Sequence, residues 1–233
     1  MDLSSRLSAR ERLDAAEHDP EQLDVTLDHL VRVNRWLGGV RVVLAHLAKR
    51  LPAVGAVRVL DVGTGAGDIP QAVARWATKR GRVVDIWAVD LRSVIARQAR
   101  NRCRAESSIR VLAADGMELP FACNMFDVAI SSMTLHHLDD SLAHRFVAEL
   151  ARVAACAVII NDLERHPINY VGARVLAATV WRKDPYTRHD GPVSVLRSFT
   201  AQELHVVGER AGLRSVRVHR HFPYRLALIG QSS

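Results

Sequence analysis

Lysine is almost missing from this chain: only Lys49, Lys79 and Lys183 occur among 32 basic residues, the rest being arginine. Aromatic residues are scarce too, at 5%. The densest basic stretch (Arg92, Arg97, Arg100, Arg102, Arg104, Arg110) has no interleaved rings on which bases could stack, so it reads as a solvated helix face rather than a nucleic-acid surface. No apolar run reaches the roughly 18–20 residues that cross a bilayer. The longest, 153–160, suits a buried strand. Residues 1–14 lack the apolar centre of a secretion signal. Cys103, Cys123 and Cys156 show neither metal-ligand spacing nor a disulfide framework, so a cytoplasmic location without bound metal is expected.

What remains is ordinary globular material: 233 residues, 48% hydrophobic and 24% charged, with a net charge of +7. That suffices for a buried core and excludes disorder as the main state. Leu23, Leu27, Leu30 and Leu37 recur near helical spacing, and after Gly38-Gly39 the pattern resumes at Val40, Val43, Leu44 and Leu47. Strands are then expected at 57–62, 83–89, 109–113, 126–131 and 154–160, separated by helices. Strands apolar on both faces and joined through helices imply a parallel sheet covered on both sides. Segment 161–197, with Pro167, Pro185 and Pro192, reads as irregular. A helix follows, with Thr200 and Glu203 as a capping box and Gly212 as its stop. An antiparallel hairpin closes the chain.

The informative segment is Val59-Leu60-Asp61-Val62-Gly63-Thr64-Gly65-Ala66-Gly67-Asp68, at the junction of the first strand and helix. Ligands of open α/β sheets sit beyond such strand ends, where glycines let backbone N–H groups come close. A dinucleotide site wants G-x-G-x-x-G, but Asp68 stands at the third glycine position. Asp61 and Asp68 put negative charge where a pyrophosphate would lie, which speaks against a nicotinamide dehydrogenase. They suit a cation, and S-adenosylmethionine carries a sulfonium and an amine. Asp90, ending the second strand, can accept from both ribose hydroxyls. Asp115, after the third, can bond the adenine amino group.

The segments VLDVGTGAGDIP, AVDL, AADGMELPF and FDVAISSMTLHHL, in this order, resemble the class I S-adenosylmethionine-dependent methyltransferases, closest to the ubiquinone/menaquinone-biosynthesis branch. The resemblance covers about residues 57–162. It implies an α/β, Rossmann-like fold: a seven-stranded, mostly parallel sheet with a C-terminal antiparallel hairpin and helices on both faces. It further implies that Asp61, Gly63, Thr64, Gly65 and Gly67 cradle the methionine end of the cofactor. Asp90 and Leu91 would hold ribose and adenine, Asp115 and Gly116 the adenine. Ser131 and Ser132 would line the cofactor near its methyl. The organisation expected is a helical lid over 1–55 and an S-adenosylmethionine-binding domain over 56–233, with a substrate-covering insertion at about 163–198.

A base that takes a proton from the acceptor adds to catalysis, and histidine titrates near neutrality. The candidates are His136, His137, Asp162 and His189, with Arg35, His166 and Arg188 as acceptor ligands. Paired histidines at such a turn also serve as packing and capping residues. The N/D-P-P-Y motif of exocyclic-amine methyltransferases is absent, position 130–133 reading Ile-Ser-Ser-Met. The expected reaction is methyl transfer to oxygen or ring carbon of a phenolic, quinol or polyketide-like small molecule, with no membrane span and no nucleic-acid partner. Homodimerisation stays open. The arginine excess keeps RNA or protein methylation as the alternative, and a non-catalytic module with this fold as a third reading. His219 and His221 share one strand face but lack a third metal ligand.

Overall fold

The computed structural model describes residues 3–14, 20–51 and 55–232. Seven strands form one sheet: β1 (Val57–Val62), β2 (Val84–Asp90), β3 (Ile109–Ala113), β4 (Phe126–Ser132), β5 (Ala154–Leu163), β6 (Arg214–His221) and β7 (Arg225–Gln231). Their spatial order is β3-β2-β1-β4-β5-β7-β6. β1 to β5 run parallel, and β7 enters antiparallel between β5 and β6. The fold expected from the strand pattern is the one observed.

Both faces of the central strands are apolar, so both are covered. On one face α2 (Gly39–Leu47) and α3 (Asp68–Thr78) pack Val42, Val43, Leu47, Ile69, Val73 and Trp76 against Val59, Ile86, Ile130 and Ile159. On the other, α5 (Asp140–Val153) and α8 (Ala201–Arg210) pack Phe146, Leu150 and Leu204 against Leu60, Ala129, Val158 and Leu228. α4 (Ser93–Cys103) lies beside α3, its Cys103 against Gly67. The chain leaves β1 toward β2 and leaves β4 toward β5. The carboxyl ends of β1 and β4 therefore flank the point where the strand order reverses, the crevice such sheets use for ligands.

Three helices gather over that crevice: α1 (Pro20–Trp36), α6 (Pro167–Ala178) and α7 (Pro185–Arg197). The last two correct the irregular reading of 161–197. Pro167 and Pro185 occupy first turns, where the missing N–H costs nothing, and His166 and Asp184 cap them. α2 corrects another expectation: it belongs to the layer covering the sheet, not to a lid. Among the described residues no helix is long and apolar enough to cross a membrane.

Candidate active site

The loop after β1 is a tight turn pinned from the next strand. The N–H groups of Gly63 and Thr64 donate to Val89 O (2.8 and 2.9 Å), and that of Gly67 donates to Thr64 O (2.9 Å). Asp90 clasps it from β2: its Oδ2 accepts from Gly65 N (3.0 Å) and its Oδ1 from Arg92 N (3.1 Å). Added Cβ atoms separate the glycines by role. At Gly63 one would strike Thr134, and at Gly67 it would meet Cys103 Sγ at 2.7 Å. At Gly65, with φ +53°, it would meet nothing within 4 Å. Gly65 is therefore the point where the loop opens onto free space that an atom of a ligand can approach.

That space is a cavity of about 480 Å³ at the carboxyl ends of β1, β2 and β4. Its wall is acidic. Asp61 is 2% exposed, and neither carboxylate oxygen has a hydrogen-bond partner. Burial pushes its carboxyl up to about 7, against a modest opposing pull from the Thr64 hydroxyl, and Asp68 and Asp90 add to the rise. Burial likewise lifts Asp68 to about 6, although Asn34 Nδ2 donates to it at 3.2 Å. Buried carboxylates left without partners carry a high free-energy cost, which a ligand bearing positive charge relieves. The donor set fits S-adenosylmethionine and disfavours a diphosphate.

A second group of ionisable side chains stands across the same cavity. The turn after β4 (Leu135–His137) presents two histidines. Asp162 of β5 fixes the first: its Oδ2 accepts from His136 N (3.0 Å) and its Oδ1 from His136 Nδ1 (2.7 Å). His136 Nε2 lies 3.5 Å from Glu11 Oε1, and His137 Nε2 lies 3.9 Å from Glu11 Oε2. His137 Nδ1 is 2.9 Å from Asp14 Oδ1. Burial alone would lower the His136 imidazole, but the carboxylates of Asp162 and Glu11 outweigh it and push it up to about 10. Burial works against the ionised forms of Asp162, Glu11 and Asp14. The imidazoles facing them prevail in each case, with help from Arg197 at Asp14, which is held down to about 2.

Glu11 and Asp14 reach this place because residues 3–14 form a strap across the crevice. Arg6 lays its guanidinium over the Phe199 ring and donates to Leu138 O (2.8 Å). Leu7 N donates to Leu196 O (3.1 Å), and the N–H groups of Arg12 and Leu13 donate to the Asp190 carboxylate (2.8 and 3.0 Å). Behind the strap lies a second cavity, also about 480 Å³, walled mainly by Leu30, Val33, Leu163, Leu176, Trp181 and Val195. Glu11, Leu13 and Met133 line both cavities, so the two chambers share one wall.

Asp61, Gly63, Thr64, Gly65, Asp90, Leu91, Asp115, Gly116, Ser132, His136 and His137 all line the first cavity. Gly67 and Ser131 do not. Gly67 is pressed against Cys103, and the fully buried Ser131 donates to Val62 O (2.8 Å). Asp162 stands behind His136. Arg35, His166, Arg188 and His189 line neither cavity. His166 caps α6 and stacks on Tyr224, and His189 sits exposed on α7 beside Asp190. Glu11, Asp14 and Met133 were not legible as site residues. They lie outside the recognisable segments, except Met133, whose φ of +60° no local signal announced. His46 of α2 supplies the third histidine that His219 and His221 lacked, its Nε2 2.8 Å from that of His221. The trio sits among Arg41, Lys49, Arg50 and Arg217, which hold its imidazoles in the neutral form along with burial.

Comparison with known proteins agrees with this geometry. Residues 59–156 match a family described as a methyltransferase domain. The chain is 33% identical over 110 residues to the ubiquinone/menaquinone biosynthesis C-methyltransferase UbiE of Chromobacterium violaceum, covering 45% of this chain and 44% of that protein. It thus spans less than half the length of this curated relative. A crystal structure of a SAM-dependent methyltransferase from Aquifex aeolicus superposes with a TM-score of 0.66 at 21% identity, covering 93% of this chain and all of that one. The CMeT domain of the citrinin polyketide synthase gives a TM-score of 0.70 at 14% identity over 96% of this chain and 60% of that one. The segments quoted from the sequence, the crevice they build and these likenesses converge: residues 59–156 are similar to a methyltransferase domain, and the chain has the fold of solved S-adenosylmethionine-dependent methyltransferases.

Proposed function

We propose that the chain binds S-adenosylmethionine in the acid-lined cavity and transfers its methyl group to oxygen or ring carbon of a small, largely apolar acceptor held in the second cavity. One observation carries this reading: two cavities meet at a single wall, the first holding the buried carboxylates of Asp61, Asp68 and Asp90 and the second lined mainly by apolar side chains. Bound in the first, S-adenosylmethionine supplies a methyl already activated on a sulfonium. The residues of the chain then have mainly to align and to exclude water.

Gly65 lets the backbone approach the ligand, and Asp90 offers its remaining lone pairs to ribose hydroxyls. Asp115 and Gly116 flank the adenine. Asp61 and Asp68 oppose the positive charge. Leu30, Val33, Leu176 and Trp181 receive an apolar ring or chain in the second chamber, a match for phenolic, quinol or polyketide-like acceptors. The named relatives fit the same class, one being a quinone-pathway C-methyltransferase and one a polyketide synthase domain. Glu11, His136 and His137 stand at the shared wall beside the acceptor, with Asp162 orienting His136; with its imidazole raised to about 10, His136 already holds its proton near neutrality and is not the base. The strap, α1, α6 and α7 form the lid. α2 is excluded from it by its packing on the sheet.

Four of the arginines are taken up in ion pairs within the fold, which weakens the case for RNA as substrate. Arg102 pairs with Asp24 and Asp28, Arg152 with Glu149, Arg165 with Glu203 and Arg197 with Asp14. These side chains tie the fold together rather than forming a free basic face. Calorimetry with S-adenosylmethionine, competed by S-adenosylhomocysteine, tests the cofactor. Mass spectrometry of a panel of phenols, quinols and polyketide-like compounds, incubated with methyl-labelled cofactor, tests the acceptor. Absence of cofactor binding would overturn the whole reading. Binding without labelling of any such compound would overturn the acceptor class.

A further inference from the structure

Both histidines of the turn after β4 have a carboxylate beside Nδ1, hydrogen-bonded in His136 (Asp162, 2.7 Å) and in contact but not hydrogen-bonded in His137 (Asp14, 2.9 Å). A carboxylate can only accept, so His136 Nδ1 carries a proton, and the Nε2 that faces Glu11 is the position at which a metal would displace the other. Both Nε2 atoms look toward the same group, the carboxylate of Glu11, at 3.5 and 3.9 Å. One ligand atom from each of Glu11, His136 and His137 lies within 4.8 Å of the other two. Glu11 Oε1 is buried and has no hydrogen-bond partner.

Carboxylate behind imidazole, with the imidazole facing a shared point, is the arrangement that orients histidine ligands on a metal. Two imidazoles and one carboxylate on one side, with open positions on the other, is the donor set of Zn²⁺ and Fe²⁺ centres that act on substrates. Charge agrees. Glu11, Asp14 and Asp162 bring three carboxylates to the two rings; among the described residues Arg197 pairs within the set, through Asp14, and the buried Arg225 acts on Asp162 from behind. We propose that Glu11, His136 and His137 bind one divalent transition-metal cation at the wall between the two cavities, with its open positions toward the cavity. Bonds of about 2.0–2.2 Å require the three ligand atoms to close in slightly. Rotation of the Glu11 carboxylate and the half-buried His137 ring supplies this. The ion would hold an oxygen of the acceptor beside the methyl donor. That role rests on the methyl-transfer reading, whereas occupancy of the site does not.

The sequence held no hint of this site, because Glu11 lies 125 positions before His136 and no spacing rule joins them. Tag-free full-length protein, stripped with a chelator and dialysed, is titrated with Zn²⁺ or Mn²⁺ alone by calorimetry, and bound metal is counted by mass spectrometry. One ion per chain is expected. Asp14→Asn, which leaves all three ligands in place, should weaken binding about 10–100-fold. Glu11→Gln should abolish it, with circular dichroism and the melting profile confirming that both variants fold. Wild type that retains no ion overturns the proposal. So does an ion unaffected by Glu11→Gln but lost in His221→Ala, which would place it on the His46–His219–His221 trio. S-adenosylmethionine calorimetry on the stripped protein keeps failure of this site distinct from failure of the methyl-transfer reading.

Discussion

Asp61 offers a sharp test, because folding should drive its carboxyl from 3.8 to about 7, burial outweighing the opposing pull of the Thr64 hydroxyl. In the unfolded chain it ionises near its ordinary value. Between those two pH values the folded protein holds a proton that the unfolded chain has lost. Stability therefore falls as pH rises through this window and levels off above it. At 1.36 kcal/mol per pH unit, the ionised carboxylate costs on the order of 4 kcal/mol at pH 8. Asp61→Asn cannot ionise and escapes that cost. It leaves a buried amide incompletely bonded, at about 1–3 kcal/mol. The ligand-free variant should thus be roughly 1–3 kcal/mol more stable than wild type at pH 8, and equal or less stable at pH 4.5. Urea unfolding of both proteins at the two pH values reads this directly. A pH-independent difference would refute the reasoning, since it would mean that Asp61 ionises normally in the fold. The same change should weaken S-adenosylmethionine binding, and wild-type affinity should rise between pH 6 and 8 as the carboxylate forms.

Gly65→Val should leave the fold intact at the cost of one strained residue but fill the cavity, raising the dissociation constant for S-adenosylmethionine by about 100-fold or more, roughly 3 kcal/mol. Gly116→Ala should instead lower the melting temperature, because its Cβ would lie 2.6 Å from the Phe146 ring and 2.9 Å from Val62. Asp90→Ala should cost about 1–3 kcal/mol of cofactor affinity by calorimetry, from unpaired ribose hydroxyls and from an unclasped loop. At acid pH the His46 trio should weaken the fold. Burial and neighbouring bases lower His46 to about 4, so the unfolded chain binds the proton first and stability falls as pH drops from about 6.5 toward 4. His46→Phe should flatten that acid limb in chemical unfolding. An unchanged limb would rule the trio out as its source.

The sheet was legible because its strands are apolar on both faces and end in polar turns. Five strands fell within three residues of their observed ends, and the Thr200–Glu203 capping box is present as read. The helices over the crevice were not. Proline reads as a breaker, yet Asp184-Pro185 and His166-Pro167 are a cap followed by a first-turn proline, a start signal that the polar surroundings concealed. Pro192 lies inside α7, where propensity alone forbids it and tertiary packing decides. The cofactor side of the site was readable because its residues lie in compact motifs at strand ends. The other side depends on Glu11, Asp14 and Met133, whose positions follow from how a distant segment crosses the crevice. Local pattern carries no record of such a crossing.

The strap has one further consequence, for the order in which the molecule assembles. Arg6 finds His136 across 130 positions and the carbonyl of Arg197 across 191. Closing loops of that size comes late, after nearer pairings have formed, and few apolar contacts hold the segment once it is down. The sheet and its two faces can therefore stand complete while the chamber is still roofless. Amide exchange should show Leu7, Arg12 and Leu13 opening long before β1 or β4. One wall of the cavity is a segment held mainly by polar contacts, so its opening should follow local melting rather than movement of a rigid domain.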